Sequence, residues 1–221
     1  MMATKRAFSD WNKEELEGTF GLIRHRTLPA LDEWFAASET QPVDALEQEM
    51  LHRLQELLID HADAWNETEL TEYFIGPMLA LVNFNTPLFT IFAARPLAGI
   101  VGDYELYGAP DAMIATGHYS PKIPYFCFHE SKKEDEPKGD PAAQALSAML
   151  VARELNHRAH PLYGVYVVGK LWHFMLLQQD DYCISKSFAA DDEEIFEIFK
   201  ILKALKAILI ELVQQDVPRT G

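Results

Sequence analysis

The run Tyr125-Phe126-Cys127-Phe128 has no polar alternation and passes straight into His129-Glu130-Ser131-Lys132. A half-buried strand alternates apolar and polar residues because successive side chains point to opposite faces, so an unbroken apolar run belongs to a strand covered on both faces. Such a strand demands a sheet with other elements packed on each side, which is an α/β or α+β sandwich. The same strand ends in charge. Glu130 and Lys132 are two apart and share a face, and charges closing a buried strand need partners at the edge of a cleft. His129 alternates to the other face and is read as structural.

A second segment, Gly108-Ala109-Pro110-Asp111, leads into the apolar run Ala112 to Ala115. Pro110 ends a turn there, and Asp111 opens a strand where its carboxylate can reach a neighbouring strand's end. As an isolated feature, Asp111 is equally a turn residue capping backbone amides. Beside Glu130 and Lys132 it gains chemistry: two carboxylates suit Mg²⁺ or Mn²⁺, and a lysine next to them can position or deprotonate an attacking water. The reaction implied is phosphodiester hydrolysis.

Around these segments the chain reads as helices and strands in alternation. Residues 10–35 carry two short helical patterns, and Ala45 to His61 forms a firmer helix started by Pro42 and Asp44. Together, residues 1–64 are expected to form a helical extension. A helix follows Trp65, capped by Asn66 or Thr68, with Pro77 bending or ending it. Extended segments fill Leu88 to Ala115. A helix begins at Asp140-Pro141 and runs to about Asn156. Leu162 to Val168 and Leu171 to Leu177 form a hairpin turning at Gly169-Lys170, and Tyr182 to Phe188 adds an edge strand. The final helix, Asp191 to about Gln214, has more apolar surface than one stripe requires, so it is buried on two sides, either within the chain or partly against a second copy in a homodimer.

With 48% hydrophobic residues among 221, one domain with a sizeable core is expected. It divides into the helical extension, a core over residues 65–188 and the terminal helix over 189–221. No apolar run reaches the roughly 18 residues of a membrane span, and Cys127 and Cys183 lie in apolar segments that suit reduced thiols, so the expected setting is cytoplasmic and off the membrane. The net charge of −15, from 19 basic and 34 acidic side chains, opposes nucleic-acid binding by the surface as a whole. A local basic rim, drawn from Lys132, Lys133, Lys138, Arg153, His157, Arg158 and His160, is expected near the site.

Pro110-Asp111 followed by Glu130-Ser131-Lys132, in the order helix, strands, Glu-x-Lys strand, helix, strand, resembles the PD-(D/E)xK nuclease superfamily over about residues 65 to 180. The chain is also similar to an uncharacterised bacterial branch of it, through Asn66-Glu67, Pro110-Asp111, His129 to Glu134, Gly139-Asp140-Pro141 with Gln144, and Ile184-Ser185-Lys186. The resemblance implies a restriction-endonuclease-like αβββαβ core with a mixed central sheet, Mg²⁺ or Mn²⁺ as cofactor and nucleic acid, DNA above all, as substrate. It implies Asp111 and Glu130 as metal ligands, the Ser131 carbonyl beside them, and Lys132 orienting the water. A carboxylate from the first helix completes the ligands: Glu67 shares the stripe of Leu70 and Phe74, whereas Glu69 suits a capping box with Asn66. Gln144 and Lys133 would contact the substrate.

The sequence also contains no Gly-rich phosphate loop, no Gly-x-Ser-x-Gly elbow, no zinc-ligand spacing and no helix-turn-helix signature. Two other functions fit the acidic charge: a catalytically silent nuclease-fold scaffold that recruits a protein partner, and one subunit of a bacterial defence or mobile-element system.

Overall fold

A computed structural model describes residues 3–132 and 139–216. Its centre is a mixed sheet in the order β2-β10-β9-β8-β7-β6-β3: Ile23–His25, Asp181–Ile184, Leu171–Gln178, Leu162–Val168, Lys122–Lys132, Ala112–Thr116 and Thr90–Ala93. A short β11, Phe188–Ala189, also pairs with β9. The β7–β8 pair is parallel, as is β2–β10, and the other neighbours are antiparallel. A second, three-stranded sheet has the order β1-β5-β4, from Thr4–Ala7, Tyr104–Gly108 and Leu97–Val101. The molecule is thus a mixed α/β protein, as the doubly covered strand required.

Two apolar clusters lie on opposite faces of the large sheet. One gathers α2 (Pro29–Glu39), α3 (Ala45–His61), α5 (Gly76–Val82) and α7 (Glu194–Asp216). The other gathers α1 (Lys13–Phe20), α6 (Pro141–Leu155) and the small sheet. α6 is the most deeply enclosed, with Ala142 to Arg153 buried except for Gln144. Its small residues let strands approach closely: a Cβ on Gly99 would lie 2.8 Å from Val151 Cγ1. The apolar surplus of α7 is taken up inside the chain, Ile198, Phe199, Leu202, Leu205 and Leu209 being buried against α2, α3 and α5. Trp34 of α2 donates its Nε1–H to the Ile201 carbonyl at 2.8 Å.

Local signals account for most helix starts. Asp44 accepts from Glu47 N at 2.8 Å while Glu47 accepts from Asp44 N at 2.9 Å, a capping box contributing about 1 kcal/mol. Asp140 caps α6 through Ala143 N, with Pro141 at the first helical position. The structure departs from sequence expectation in two places. The first 64 residues do not form a purely helical extension, because β1 and β2 enter the two sheets. Tyr182 to Phe188 divides into β10 and β11, and β10 is covered by β2 instead of standing at the edge. Pro77, expected to bend or end its helix, stands at the start of α5, where the regular α-helix is interrupted. The chain runs from α4 (Glu67–Leu70) through a π-helical segment, Thr71–Ile75, into α5, and Gly76 N–H donates to Thr71 O. The wider turn absorbs the donor that proline lacks and the clash its ring would make with the preceding turn.

Candidate active site

β6 and β7 run antiparallel with Ala112 opposite His129, so Asp111, one step before β6, stands level with Glu130, while its side chain lines a cavity shared with Thr71 and His129. Its carboxylate is fixed by Ser131, whose backbone N–H and Oγ–H both donate to Oδ2, at 2.7 and 2.6 Å. The Thr71 hydroxyl lies 3.2 Å from Ser131 Oγ and joins this group to the π-helical segment. The Ser131 side chain and amide therefore orient Asp111. Thr71 is a further contributor; its place four residues after Glu67, on the same helix face, is the signal that would have found it.

Lys132 ties the strand to the helix. Its Nζ is 3.0 Å from Glu130 Oε1 and donates to Glu67 Oε1 at 3.0 Å. Of the two candidate helix carboxylates, Glu69 accepts from Asn66 N at 2.8 Å and closes the capping box, and Glu67 is the one turned to Lys132. Glu130 and Lys132 are buried, whereas the Glu67 side chain is 46% exposed, so the group opens to solvent on the helix side.

Burial, and then the Asp111 charge, push the Glu130 carboxyl up to about 7 against the pull of Lys132. Burial also pushes the Lys132 ammonium down, but Glu130 and Glu67 together outweigh it and leave its pKa above the usual lysine value. His129, on the opposite face, is buried 6.2 Å from the Trp172 ring, and burial lowers its pKa to about 4 although Asp111 opposes this. It is a neutral imidazole at neutral pH.

Gln144 shares a cleft of about 160 Å³ with Glu130, Phe8, Ser9, Gly108 and Ala109, and its buried Oε1 has no hydrogen-bond partner among the described residues. Gly108 makes that cleft possible by close approach: a Cβ there would lie 2.3 Å from Phe8 Cδ2. Lys133 and Glu134 lie outside the described residues, as does Lys138.

The expected basic rim is not built from the carboxyl-terminal end of α6. Arg153 and Arg158 pair with Glu154 and Asp180, and Asn156 hydrogen-bonds the backbone of Tyr125. A 15-residue helix is about 22 Å long, so closeness in sequence placed these cations at the far end of the element whose start faces Glu130.

Among the described residues no group of three or more His, Cys, Asp or Glu side chains is gathered to hold one metal ion. The donor chemistry is nevertheless that of a hard cation: Asp111 and Glu130 are oxygen donors, the Ser131 carbonyl is a third candidate, and Asp111 raises the energy of ionised Glu130 in a way that a cation between them would relieve. Glu67 stands against the Lys132 ammonium. No protein-family model matches the chain, and a search of curated proteins finds no match to it. No helix among the described residues is long and apolar enough to cross a membrane.

Proposed function

We propose that the protein is a Mg²⁺- or Mn²⁺-dependent nuclease of the PD-(D/E)xK type that hydrolyses phosphodiester bonds. The observation that carries this reading is the linkage of Asp111, Glu130, Lys132 and Glu67, from two strands and one helix: Lys132 bridges Glu130 and Glu67, and Ser131, between Glu130 and Lys132 in sequence, holds Asp111. The order α4/α5, β3, β6, β7, α6, β8 supports it, since it follows the αβββαβ plan once the β4–β5 hairpin is set aside. Asp111, Glu130 and the Ser131 carbonyl would hold the metal, which would supply Lewis-acid stabilisation of the phosphate and an acidified water. Lys132, anchored by two carboxylates, keeps an ammonium at the site, where it can orient the attacking water and stabilise charge developing on the phosphate. Glu67 steadies that ammonium. Gln144 offers a polar contact to the substrate. Nucleic acid, DNA above all, is the substrate class.

A structural role is the second reading, favoured by the Lys132 bridge. An ammonium shared by Glu67 and Glu130 clips the helix to the sheet without any metal, as a silent scaffold would require. Calorimetric titration of Mn²⁺ separates the two when run beside cleavage of a nucleic-acid panel. Under the nuclease reading the wild type binds Mn²⁺ and cuts, whereas Asp111→Asn loses binding and both Asp111→Asn and Lys132→Ala lose at least about a hundredfold in cleavage rate. Asparagine keeps an acceptor for Ser131, so the variant stays folded. A wild type that neither binds Mn²⁺ nor cuts leaves the scaffold reading.

A further inference from the structure

The loop from β3 to β4, Ala94-Arg95-Pro96, is tied directly to the site. Ala94 N–H donates to the Asp111 carbonyl at 3.0 Å, just beyond the Ala93–Ala112 pair that ends the β3–β6 ladder. Ala94 does this at φ +48°, a left-handed conformation that costs a non-glycine residue about 1 kcal/mol and persists only where its surroundings enforce it. Pro96 then restricts Arg95 to extended backbone. The loop is therefore held in one shape beside Asp111, and its middle residue, Arg95, is exposed and makes no hydrogen bond, ion pair or ring contact among the described residues.

Among the described residues, neighbouring cations are committed elsewhere. Lys132 is shared by Glu67 and Glu130, Lys13 pairs with Asp140, and the Arg6 guanidinium lies over Trp11 and pairs with Glu15. A chain of net charge −15 must meet a polyanion with local positive charge or not at all. A guanidinium is suited to this, since its planar fork takes phosphate oxygens in pairs and never loses its charge. We propose that Arg95 is a phosphate anchor, gripping the nucleic-acid backbone next to the phosphate that Asp111 and Glu130 receive. The inference rests on the nuclease reading and gives that site a substrate-positioning residue outside the Glu-x-Lys strand.

The test is fluorescence anisotropy of a labelled DNA duplex, single-stranded DNA and RNA over a KCl series, with wild type, Arg95→Ala, Arg95→Lys and Lys122→Ala. Lys122 is the control because it is an exposed cation at the opposite end of β7 from Lys132. On the strand that wild type binds, Arg95→Ala should weaken binding on the order of 3- to 10-fold at low salt and reduce the slope of log K against log[salt] by about 1, while Arg95→Lys keeps the slope and Lys122→Ala changes neither. Wild-type binding with an unchanged affinity and slope in Arg95→Ala overturns the assignment of Arg95 and leaves the nuclease reading standing. No wild-type binding to any of the three probes overturns the nuclease reading itself.

Discussion

Glu130 is an acid held in two conflicting environments, and its protonation should be visible in stability. Its folded pKa, about 7, lies above the ordinary 4.5, so the folded state binds the proton more tightly. The contribution is fully present below about pH 4.5 and is lost as pH rises through about 7. His129 works in the opposite sense, because its folded pKa of about 4 lies below 6.5 and its contribution is lost as pH falls toward 4. The two partly cancel in the wild-type curve, so the difference between wild type and Glu130→Gln is the informative quantity. In metal-free buffer, urea unfolding should show that difference falling by about 3 kcal/mol between pH 4.5 and 7, at 1.36 kcal/mol per pKa unit. A flat difference would mean that Glu130 titrates as an ordinary surface carboxylate. The Asp111–Ser131 contacts were beyond sequence reading because they join residues 20 apart through a serine hydroxyl, and nothing in the local pattern distinguishes that serine from any other.

At the scale of elements, legibility followed the range of the signal. α3 and α6 were readable because their caps, Asp44 with Glu47 and Asp140 with Pro141, lie within a turn of the residues they satisfy. The β8–β9 hairpin was readable from Gly169-Lys170 for the same reason. β1 and β2 were not, since strands of four and three residues have too few positions to show alternation and take their partners from distant parts of the chain. The site was legible as a set of residue types on neighbouring strands; its wiring, with Lys132 between two carboxylates, depended on side-chain placement that periodicity does not carry. Gly108 shows how an element can depend on a missing atom. Gly108→Ala should force the Phe8 ring out of its buried place and destabilise the protein by about 2–3 kcal/mol, through lost burial and local strain. Thermal unfolding measures this directly, and a variant as stable as wild type would show that the ring can move aside at no cost.

Across the whole molecule, the sheet separates two cores, and the one formed by α2, α3, α5 and α7 is closed by Trp34. Fully buried, it packs edge-on to Tyr163 and Phe174 and donates to Ile201 O, so it links a helix near the start of the chain to the sheet and to the last helix. Trp34→Ala should cost about 3–5 kcal/mol in urea unfolding, and a loss below about 1 kcal/mol would show that α2 is only loosely attached. The same long reach of the early residues bears on how the protein is made. β1 has no partner until Tyr107 has left the ribosome, and β2 waits for Cys183. At about 5–20 residues per second these strands, with Phe8, Trp11 and Trp34 close behind them, stay uncovered for on the order of ten seconds of synthesis. The small sheet can close once about half of the chain has emerged, whereas the large sheet waits until most of it has been made.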